Sequence, residues 1–317
     1  MTYDVVSLGE LLIDMVPLPA PAGALNFAAK PGGAPGNCAV GLAKLGRSVA
    51  MLSKVGDDAF GRLLTGTIAA AGASVEAIVI SREHLTGVAV VTLDAQGDRD
   101  FLFYRQDCAD VNYAPDEVRA AFIQAARILH VNSLVLASPV SASAQRHAIA
   151  LAQAAGILIS VDPNLRPLLW ESREAMIAAA REVVAVANVL KIGEDELQII
   201  TGIANTDAAL ESIWHAGLKV VAITRGAAGA TILTRAARIS VPGVAVKVVD
   251  TTGCGDSFMA AFLTGLLDSD MDLSDDNLAA IGRFACAAGA ITATAPGGMD
   301  AMPTRADLTA FVAGLRS

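Results

Sequence analysis

The chain has 317 residues, of which 54% are hydrophobic and 17% charged, a composition that excludes disordered and collagen-like proteins. The net charge of −9 at pH 7 disfavours nucleic acid as a partner. No apolar run reaches the roughly 20 residues that a membrane-spanning helix needs, and the start, MTYDVVSLGE, lacks the pattern of a secretory signal. Four widely spaced cysteines without a CxxC pair indicate free thiols. We therefore expect a globular, cytoplasmic protein with no membrane partner.

The first third of the chain predicts short strands, two helices and a hairpin. Strands are predicted at 3–8, 11–16 and 51–54, and helices at 37–45 and 60–71. Residues 88–93 and 100–105 are two extended runs that flank a polar tip at 94–97, which is typical of a β-hairpin. Because hairpin strands pair antiparallel, we expect this hairpin to lie outside a parallel sheet.

From residue 117 onward, helical and extended patterns alternate regularly. Helices are predicted at 117–126, 143–155, 173–187 and 207–216, and strands at 128–131, 157–161, 189–192 and 220–224. Two further helices are predicted at 257–267 and 276–292. Such alternation indicates βαβ units and a parallel sheet, so the sequence predicts one α/β domain over 1–317 with a small β excursion.

The most informative turn is the segment DTTGCGD, from Asp250 to Asp256, which leads directly into an apolar helix. Glycines on both sides of Cys254 allow a tight turn whose N–H groups point the same way, and a helix N-terminus adds positive charge there. An aspartate beside such an anion site can take a proton from an incoming hydroxyl, as phosphoryl transfer requires. The alternative is that Asp256 only caps the helix.

A second glycine-rich segment, GGAPGN, runs from Gly32 to Asn37. Its glycines allow a ligand to approach the backbone closely, and Asn37 is either a helix cap or an amide that faces the ligand. Residues 41–48 nearly fit the Walker A pattern, but Arg47 replaces the required lysine and the interior reads as helix. We therefore exclude a P-loop. No GxGxxG follows the first strand, which disfavours a nicotinamide-dependent oxidoreductase.

Two more strand ends carry polar residues. The turn from Thr224 to Gly229 is either a phosphate cradle or an ordinary hairpin with glycines at positive φ. The segment from Lys191 to Glu196 holds a lysine and three acids, which either orient a hydrated Mg²⁺ or form a negatively charged first helical turn. The four histidines share no metal-ligand spacing and are interpreted as structural.

The order of these motifs resembles that of the PfkB (ribokinase-like) carbohydrate kinase family, and most closely its fructokinases. Gly32 to Gly46 and Asp250 to Asp256 resemble the family's two signatures. The start GELLIDMVP, the stretch DPNLR at 162–166, Glu196 of the NxxE motif and the tail AMPT at 301–304 agree with the fructokinase branch. The resemblance covers essentially the whole chain.

This resemblance implies a ribokinase-like three-layer α/β/α domain with a central, mostly parallel sheet and a small β lid formed by roughly 10–30 and 86–106. It implies that Asp256 is the base and that the amides of Gly253, Cys254 and Gly255 form the anion hole. The implied sugar contacts are Asp14, Gly32, Gly33, Asn37, Arg105 and Arg166. On the ATP side the implied residues are Lys191, Glu196, Thr224, Gly226 and Gly229, with Glu196 reaching Mg²⁺ through water and Asp250 and Thr252 forming part of a K⁺ site.

The implied reaction is ATP-dependent phosphorylation of a free sugar, with fructose at its 6-hydroxyl as the leading substrate. Within the family, 2-keto-3-deoxygluconate, another ketose or a nucleoside is the alternative, and a non-catalytic sugar-binding regulator is the alternative from another class. A homodimer through the lid is also implied. Three positions depart from the family pattern: Gly193 replaces the asparagine of NxxE, Cys254 replaces an alanine, and Gly36 stands where fructokinases often have alanine.

Overall fold

Strands and helices alternate along the computed structural model, which describes residues 2–21, 24–93 and 99–315. The strands are β1 Tyr3–Leu8, β2 Leu12–Leu18, β3 Asn26–Gly32, β4 Val49–Gly56, β5 Ile78–Ser81, β6 Gly87–Leu93, β7 Arg99–Tyr104, β8 Ala126–Val131, β9 Leu158–Val161, β10 Val189–Gly193, β11 Val220–Thr224, β12 Ala230–Leu233 and β13 Arg238–Val241. The helices are α1 Ala34–Lys44, α2 Ala59–Ala70, α3 Ala120–Gln124, α4 Pro139–Ala154, α5 Arg173–Val184, α6 Glu194–Thr201, α7 Thr206–Ile213, α8 Cys254–Asp268, α9 Asp275–Thr292, α10 Gly298–Ala301 and α11 Arg305–Gly314. The predicted hairpin tip at 94–97, and residues 22 and 23 of the predicted lid, lie outside the described residues.

A nine-stranded sheet forms the centre of the molecule, in the order β13-β12-β11-β10-β9-β8-β1-β4-β5. Seven neighbouring strands pair in parallel: β5, β4, β1, β8, β9, β10 and β11. Strands β12 and β13 add an antiparallel edge beyond β11. Strand β1 lies between β4 and β8. Later strands are therefore added on both sides of β1, with β4 and β5 on one side and β8 to β13 on the other. Ligands of open α/β sheets bind beyond the carboxyl ends of the strands near such a switch point.

Helices cover both faces of this sheet, because successive strand residues point to opposite sides. Val5 of β1 packs into a core with α1, α2, α8 and α9, whereas Val6 packs into a second core with α3, α4 and α5. Both residues are fully buried. The alternation produces three layers, helix, sheet and helix, as the sequence predicts.

A separate four-stranded sheet lies apart from the large one, in the order β3-β2-β6-β7. Strands β2 and β3 pair antiparallel, β2 and β6 pair in parallel, and β6 and β7 form the predicted hairpin. The predicted place of this hairpin outside the main sheet is therefore confirmed. Strand β2 continues from β1 after only three residues, 9–11, so the two sheets are closely joined.

One predicted helix, 117–126, is mostly wrong. A 3-10 turn occupies Pro115–Glu117, α3 is only five residues long, and β8 already begins at Ala126. The carboxylate of Glu117 accepts the N–H of Ala114 at 2.7 Å and lies 2.8 Å from the ammonium group of Lys54 on β4. These contacts close a turn at Glu117 before a helix can start there.

Two properties expected from composition agree with the structure. Cys38, Cys108, Cys254 and Cys286 are free thiols. Within 2–21, 24–93 and 99–315, no helix has the length and hydropathy needed to cross a membrane.

Candidate active site

Helix α8 begins at a loop in which glycines are required. Gly253 precedes the helix with φ of 76°, and a Cβ on it would lie 2.9 Å from the Cα of Gly298. A Cβ on Gly255 would lie 3.1 Å from Nζ of Lys191, so an ammonium group lies directly against this turn. The start of a helix presents N–H donors and partial positive charge. With Lys191 beside it, the loop favours an anion.

Asp256 lies in the first turn of α8, and Gly253 is the residue that precedes the helix as its N-cap. The alternative that Asp256 merely caps this helix is therefore wrong. Its carboxylate instead contacts α1: Nδ2 of Asn37 donates a hydrogen bond to Oδ2 of Asp256 at 2.8 Å. The two glycine-rich motifs of the sequence, 219 residues apart, thus meet at one hydrogen bond.

The charges around Asp256 adjust its acidity. Burial raises the pKa of Asp256 to about 6, and the nearby carboxylate of Asp162 acts in the same direction. Asn37, Lys191 and Arg166 lower this pKa, in decreasing order of effect, but do not outweigh the burial. A carboxylate with a pKa just below neutral is ionised at pH 7 and still able to accept a proton, which suits a general base.

A buried ion pair lies next to the anion-binding loop. Lys191, on β10, lies 2.9 Å from Oδ2 of Asp162, which follows β9. Burial lowers the pKa of Lys191, but Asp162 and Glu196 outweigh it, so the pKa lies above its ordinary value and the group stays protonated. Both residues lie at the carboxyl ends of parallel strands, where the fold places ligands.

Asp14, on the small sheet, interacts electrostatically with Asp256. We call the region between these two carboxylates the pocket. Asp14 lies on β2 opposite β3, and a Cβ on Gly32 would lie 2.3 Å from Oδ2 of Asp14, so only glycine leaves room for this carboxylate. Burial raises the pKa of Asp14 to about 6, Arg166 lowers it, and Asp256 is among the groups that raise it. Asp14 and Asp256 therefore sense each other's charge across the pocket.

Gly33 is the N-cap residue of α1 and has φ of 101°. A Cβ on Gly33 would lie 2.4 Å from the carbonyl oxygen of Glu10, so the turn before α1 presses directly against the segment that joins β1 to β2. The predicted residues Gly32, Gly33 and Asn37 are thus brought together with Asp14 and Asp256.

The two predicted arginines have different surroundings. Arg166 is exposed and influences the pKa of both Asp14 and Asp256, so its charge acts on the pocket. Arg105 is buried, and its Nε and Nη2 lie 2.7 and 2.6 Å from Oδ2 of Asp110. The contacts of Arg105 are therefore at the base of the small sheet.

A cavity of about 410 Å³ opens at the carboxyl ends of β10 and β11. It is lined by residues at and just after the ends of the two strands: Gly193, Glu194, Asp195, Gln198, Thr224, Arg225 and Gly226.

The turn after β11 contains two glycines with positive φ, Gly226 and Gly229. A Cβ on Gly229 would lie 2.2 Å from the carbonyl oxygen of Val241. The turn from Thr224 to Gly229 also joins β11 to antiparallel β12, as its hairpin interpretation predicts. Thr224 and Gly226 therefore line an open space, whereas Gly229 closes the turn.

Glu196 joins two strand ends. Its Oε2 accepts the N–H of Gly193 and its Oε1 accepts the N–H of Leu165, both at 2.8 Å. The first contact closes the first turn of α6, and the second ties the DPNLR stretch after β9 to that helix. The interpretation of this segment as an acidic first helical turn is confirmed, since Glu196 closes the start of α6 beside the cavity. Its role toward Mg²⁺ stays a prediction.

Asp250 fixes the start of the DTTGCGD loop. Its Oδ1 accepts from the backbone and the hydroxyl of Thr252 at 2.9 and 2.7 Å, and its Oδ2 accepts the N–H of Gly297 at 3.0 Å. The predicted pair Asp250 and Thr252 is thus in contact and connects the loop before α8 to the turn before α10.

Sequence reasoning missed Glu10. This side chain is 3% exposed, accepts the N–H of Ala34 at 3.1 Å and accepts from Nδ2 of Asn132 at 2.8 Å. The signal was an acid directly after the first buried strand, where an apolar residue would otherwise continue the core.

Comparison with known proteins identifies the family of this chain. The family model described as pfkB family carbohydrate kinase matches residues 2–305. A fructokinase-2 of Solanum lycopersicum is 38% identical over 98% of this chain and 96% of that protein, and a fructokinase of Solanum tuberosum is 39% identical over the same shares.

Solved structures agree with the fold. A fructokinase with bound ATP from Xylella fastidiosa superposes with a TM-score of 0.93 at 29% identity and covers 100% of both chains. A fructokinase from Vibrio cholerae O395 in fructose, ADP and calcium ion bound form has a TM-score of 0.86 at 32% identity over 98% of this chain and 99% of that one. The ribokinase-like fold is thus confirmed. Because the family model matches residues 2–305, this chain belongs to the pfkB family of carbohydrate kinases.

Proposed function

We propose that this protein is an ATP-dependent fructose kinase that transfers the γ-phosphoryl group of ATP to the 6-hydroxyl of fructose. The observation that carries the proposal is the position of Asp256: it lies in the first turn of α8, 2.8 Å from Asn37 and within electrostatic reach of Asp14. The fructokinase names of the most similar relatives and the fructose bound in the Vibrio cholerae structure support fructose as the acceptor.

In this proposal the sugar lies between the small sheet and α1. Asp14, Gly33 and Asn37 bind its hydroxyl groups, and Arg166 contributes positive charge at the rim. Asp256 takes the proton of the attacking hydroxyl as the new P–O bond forms, and the bond to the ADP oxygen breaks. The N–H groups of Gly253, Cys254 and Gly255 and the ammonium group of Lys191 stabilise the negative charge on the transferred group. Since only the backbone of Cys254 takes part, its side chain is free to vary.

The nucleotide side of the proposed site runs from α8 to the cavity at Thr224 and Gly226. The donor set fits a divalent cation held mostly by phosphates and water, because Oδ1 of Asp162 is buried without a hydrogen-bond partner among the described groups and Glu196 lies one strand away. A bound Mg²⁺ would neutralise phosphate charge during transfer. Asp162 and Glu196 would hold its water ligands, and Asp250 and Thr252 would contribute to a K⁺ site beside the DTTGCGD loop.

We also propose that the small sheet is a lid that closes over the sugar and pairs with its counterpart in a second subunit. Leu102 and Tyr104, two positions apart on β7 and so on one face of the sheet, are 52% and 62% exposed. Leu18 at the end of β2 is 49% exposed. Exposed apolar side chains on one small sheet are typical of a surface that is covered by a partner. Sedimentation of the wild type and of a Leu102→Lys variant tests this: the variant should be a monomer if the sheet is the interface.

ADP release from Mg·ATP across fructose, 2-keto-3-deoxygluconate, ribose and adenosine tests the function. Turnover restricted to fructose would support the proposal, whereas turnover with another acceptor would keep the reaction and change the substrate. Binding of sugar without ADP release would indicate a regulator. Asp256→Asn should reduce kcat by about a thousandfold or more, because it removes the base and leaves the anion site, while sugar binding persists.

A further inference from the structure

The small sheet is connected to the rest of the protein by four short segments. Glu10 lies in one of them and interacts with residues of two others. Glu10 itself lies between β1 and β2. Its Oε1 accepts the N–H of Ala34, which follows β3, at 3.1 Å. Burial raises the pKa of Glu10, and the charge of Arg105, the first residue after β7, acts against this rise. The fourth segment, before β6, is bonded to Asp58 through Thr86. It also contacts the segment after β7, because the N–H of Ala109 donates to the carbonyl oxygen of Leu85 at 2.8 Å.

The neighbours of Glu10 form a buried polar group, which we call the hinge cluster: Glu10, Arg105, Asp110 and Asn132. All four residues are at least 90% buried. Arg105 contacts Oδ2 of Asp110 through two nitrogens, at 2.7 and 2.6 Å, and Asn132 donates to Glu10 at 2.8 Å. Burying two carboxyl groups and a guanidinium together costs free energy compared with an apolar core of the same volume. The presence of this cluster is therefore better explained by a function than by a contribution to stability.

Contacts lead from this cluster to the catalytic base. The first turn of α1 is attached to residues 7–10 at three points. Oγ of Ser7 donates to the carbonyl oxygen of Pro35 at 2.9 Å, a Cβ on Gly9 would lie 2.3 Å from Cγ of Pro35, and Glu10 holds the N–H of Ala34. Asn37 ends that turn, with its N–H bonded to the carbonyl oxygen of Gly33, and its side chain holds Asp256 at 2.8 Å.

We propose that Glu10 is a positioning residue that couples the small sheet to the catalytic base: movement of the sheet is passed through the hinge cluster to the first turn of α1, and so to Asn37 and Asp256. The proposal rests on the proposed function only in that Asp256 must act as the base. It also assigns Arg105 a different part from the one that family resemblance implies. Arg105 pairs with Asp110 and acts on Glu10 through its charge, and it does not contact the sugar.

Kinetics of Glu10→Gln, Asp110→Asn and the double variant test the coupling. Each single substitution preserves shape and removes one buried carboxyl group, and Glu182→Gln is the control, since Glu182 forms an exposed pair with Arg146. We expect kcat/KM for fructose to fall about 10- to 100-fold in each single variant, because small misplacement of catalytic groups has effects of that size. The double variant should be no worse than the worse single one, and KM for ATP should stay unchanged. Wild-type kinetics in both single variants, or losses that multiply in the double one, would overturn the proposal.

Arg105→Lys separates the hinge from a direct sugar contact. If Arg105 acts through the hinge, Arg105→Lys and Asp110→Asn should lower kcat by similar factors. A rise only in KM for the sugar in Arg105→Lys, with Asp110→Asn unaffected, would overturn the proposal in favour of direct contact.

Amide hydrogen exchange without any substrate tests the same coupling independently of turnover. In Glu10→Gln we expect faster exchange both at 34–40 of α1 and at 87–90 and 102–104 of the small sheet, relative to wild type and Glu182→Gln. Acceleration in only one of these regions would overturn the coupling. Asp110→Asn gives the same comparison if Glu10→Gln does not fold. Failure of the wild type on the whole sugar panel would refute the proposed function, while the exchange result would still decide the coupling.

Discussion

Nδ2 of Asn37 lies 2.8 Å from Oδ2 of Asp256, and this hydrogen bond joins the first turn of α1 to the first turn of α8. It both orients the carboxylate and lowers its pKa against the effect of burial. We expect Asn37→Ala to raise the pH midpoint of kcat/KM and to reduce kcat/KM about 10- to 100-fold at pH 7, since one charge-assisted hydrogen bond and the orientation are lost. Asn277→Ala on α9 is the control. An unchanged midpoint in Asn37→Ala would show that the bond does not act on the base.

The acidic side of the pH profile should report Asp256. The base works only when ionised, so kcat/KM should fall as the pH drops through about 6, the raised pKa of both Asp256 and Asp14. Because two carboxylates protonate in the same range, we expect a steeper fall than a single group gives.

Asp162→Asn should shift this profile toward acid. Removal of the Asp162 charge lowers the pKa of Asp256, and Lys191, no longer paired at 2.9 Å, acts in the same direction. The midpoint of kcat/KM against pH is the measurement, and it is separate from any drop in the maximum rate. A midpoint that stays or rises would contradict the assigned electrostatics.

Gly32→Ala should weaken sugar binding specifically. The new Cβ would lie 2.3 Å from Oδ2 of Asp14, so this carboxylate must move from the pocket. We expect KM for the sugar to rise at least about tenfold with little change in KM for ATP. Gly66→Ala is the matched control, because this exposed residue of α2 has no atom within 4 Å of the added methyl group. It should stabilise the protein by about 0.5–1 kcal/mol and leave the kinetics unchanged.

His130 should make the protein less stable in acid. Burial, with the charge of Lys191, lowers the pKa of this side chain from 6.5 to about 4. Between these values the unfolded chain binds the proton more readily than the folded one, so stability rises with pH across this window and is lost as the pH falls. Across this window, His130 lowers the free energy of unfolding by about 3 kcal/mol as the pH falls. Urea unfolding at pH 7 and pH 4.5 measures it, and His130→Gln should lose less stability between the two than wild type or the exposed control His147→Gln.

Periodicity predicted the elements whose sequences carry their own signal. The parallel strands and long helices such as α8 and α9 pack on two faces with clear apolar patterns, so they were found within a few residues. Strand β3, NFAAKPG, has almost no strand-forming residues and was not predicted, because only its pairing with β2 makes it a strand. The short strands β5 and β13 were also not predicted, and both lie at the edges of the large sheet, where each pairs with a single neighbour.

The site was predictable as two loops but not as one geometry. DTTGCGD and GGAPGN each indicate a close approach of backbone and ligand, yet the bond between Asn37 and Asp256 depends on how α1 and α8 pack side by side. Glu10 belongs to the segment GELLIDMVP, but nothing in that segment shows that its side chain bonds to Ala34 and Asn132, because these residues come together only after folding.

The two hydrogen bonds of Glu196 have a consequence for how variants of this enzyme are interpreted. Its carboxylate connects the DPNLR turn to α6, because it accepts hydrogen bonds from the backbone N–H groups of Leu165 and Gly193. A substitution there would loosen two strand ends at once, and with them Asp162 and Lys191. A variant at Glu196 would therefore lose activity for two reasons, a disordered backbone and a weaker affinity for the cation. Measuring both the Mg²⁺ dependence of activity and the thermal stability of the variant would distinguish them.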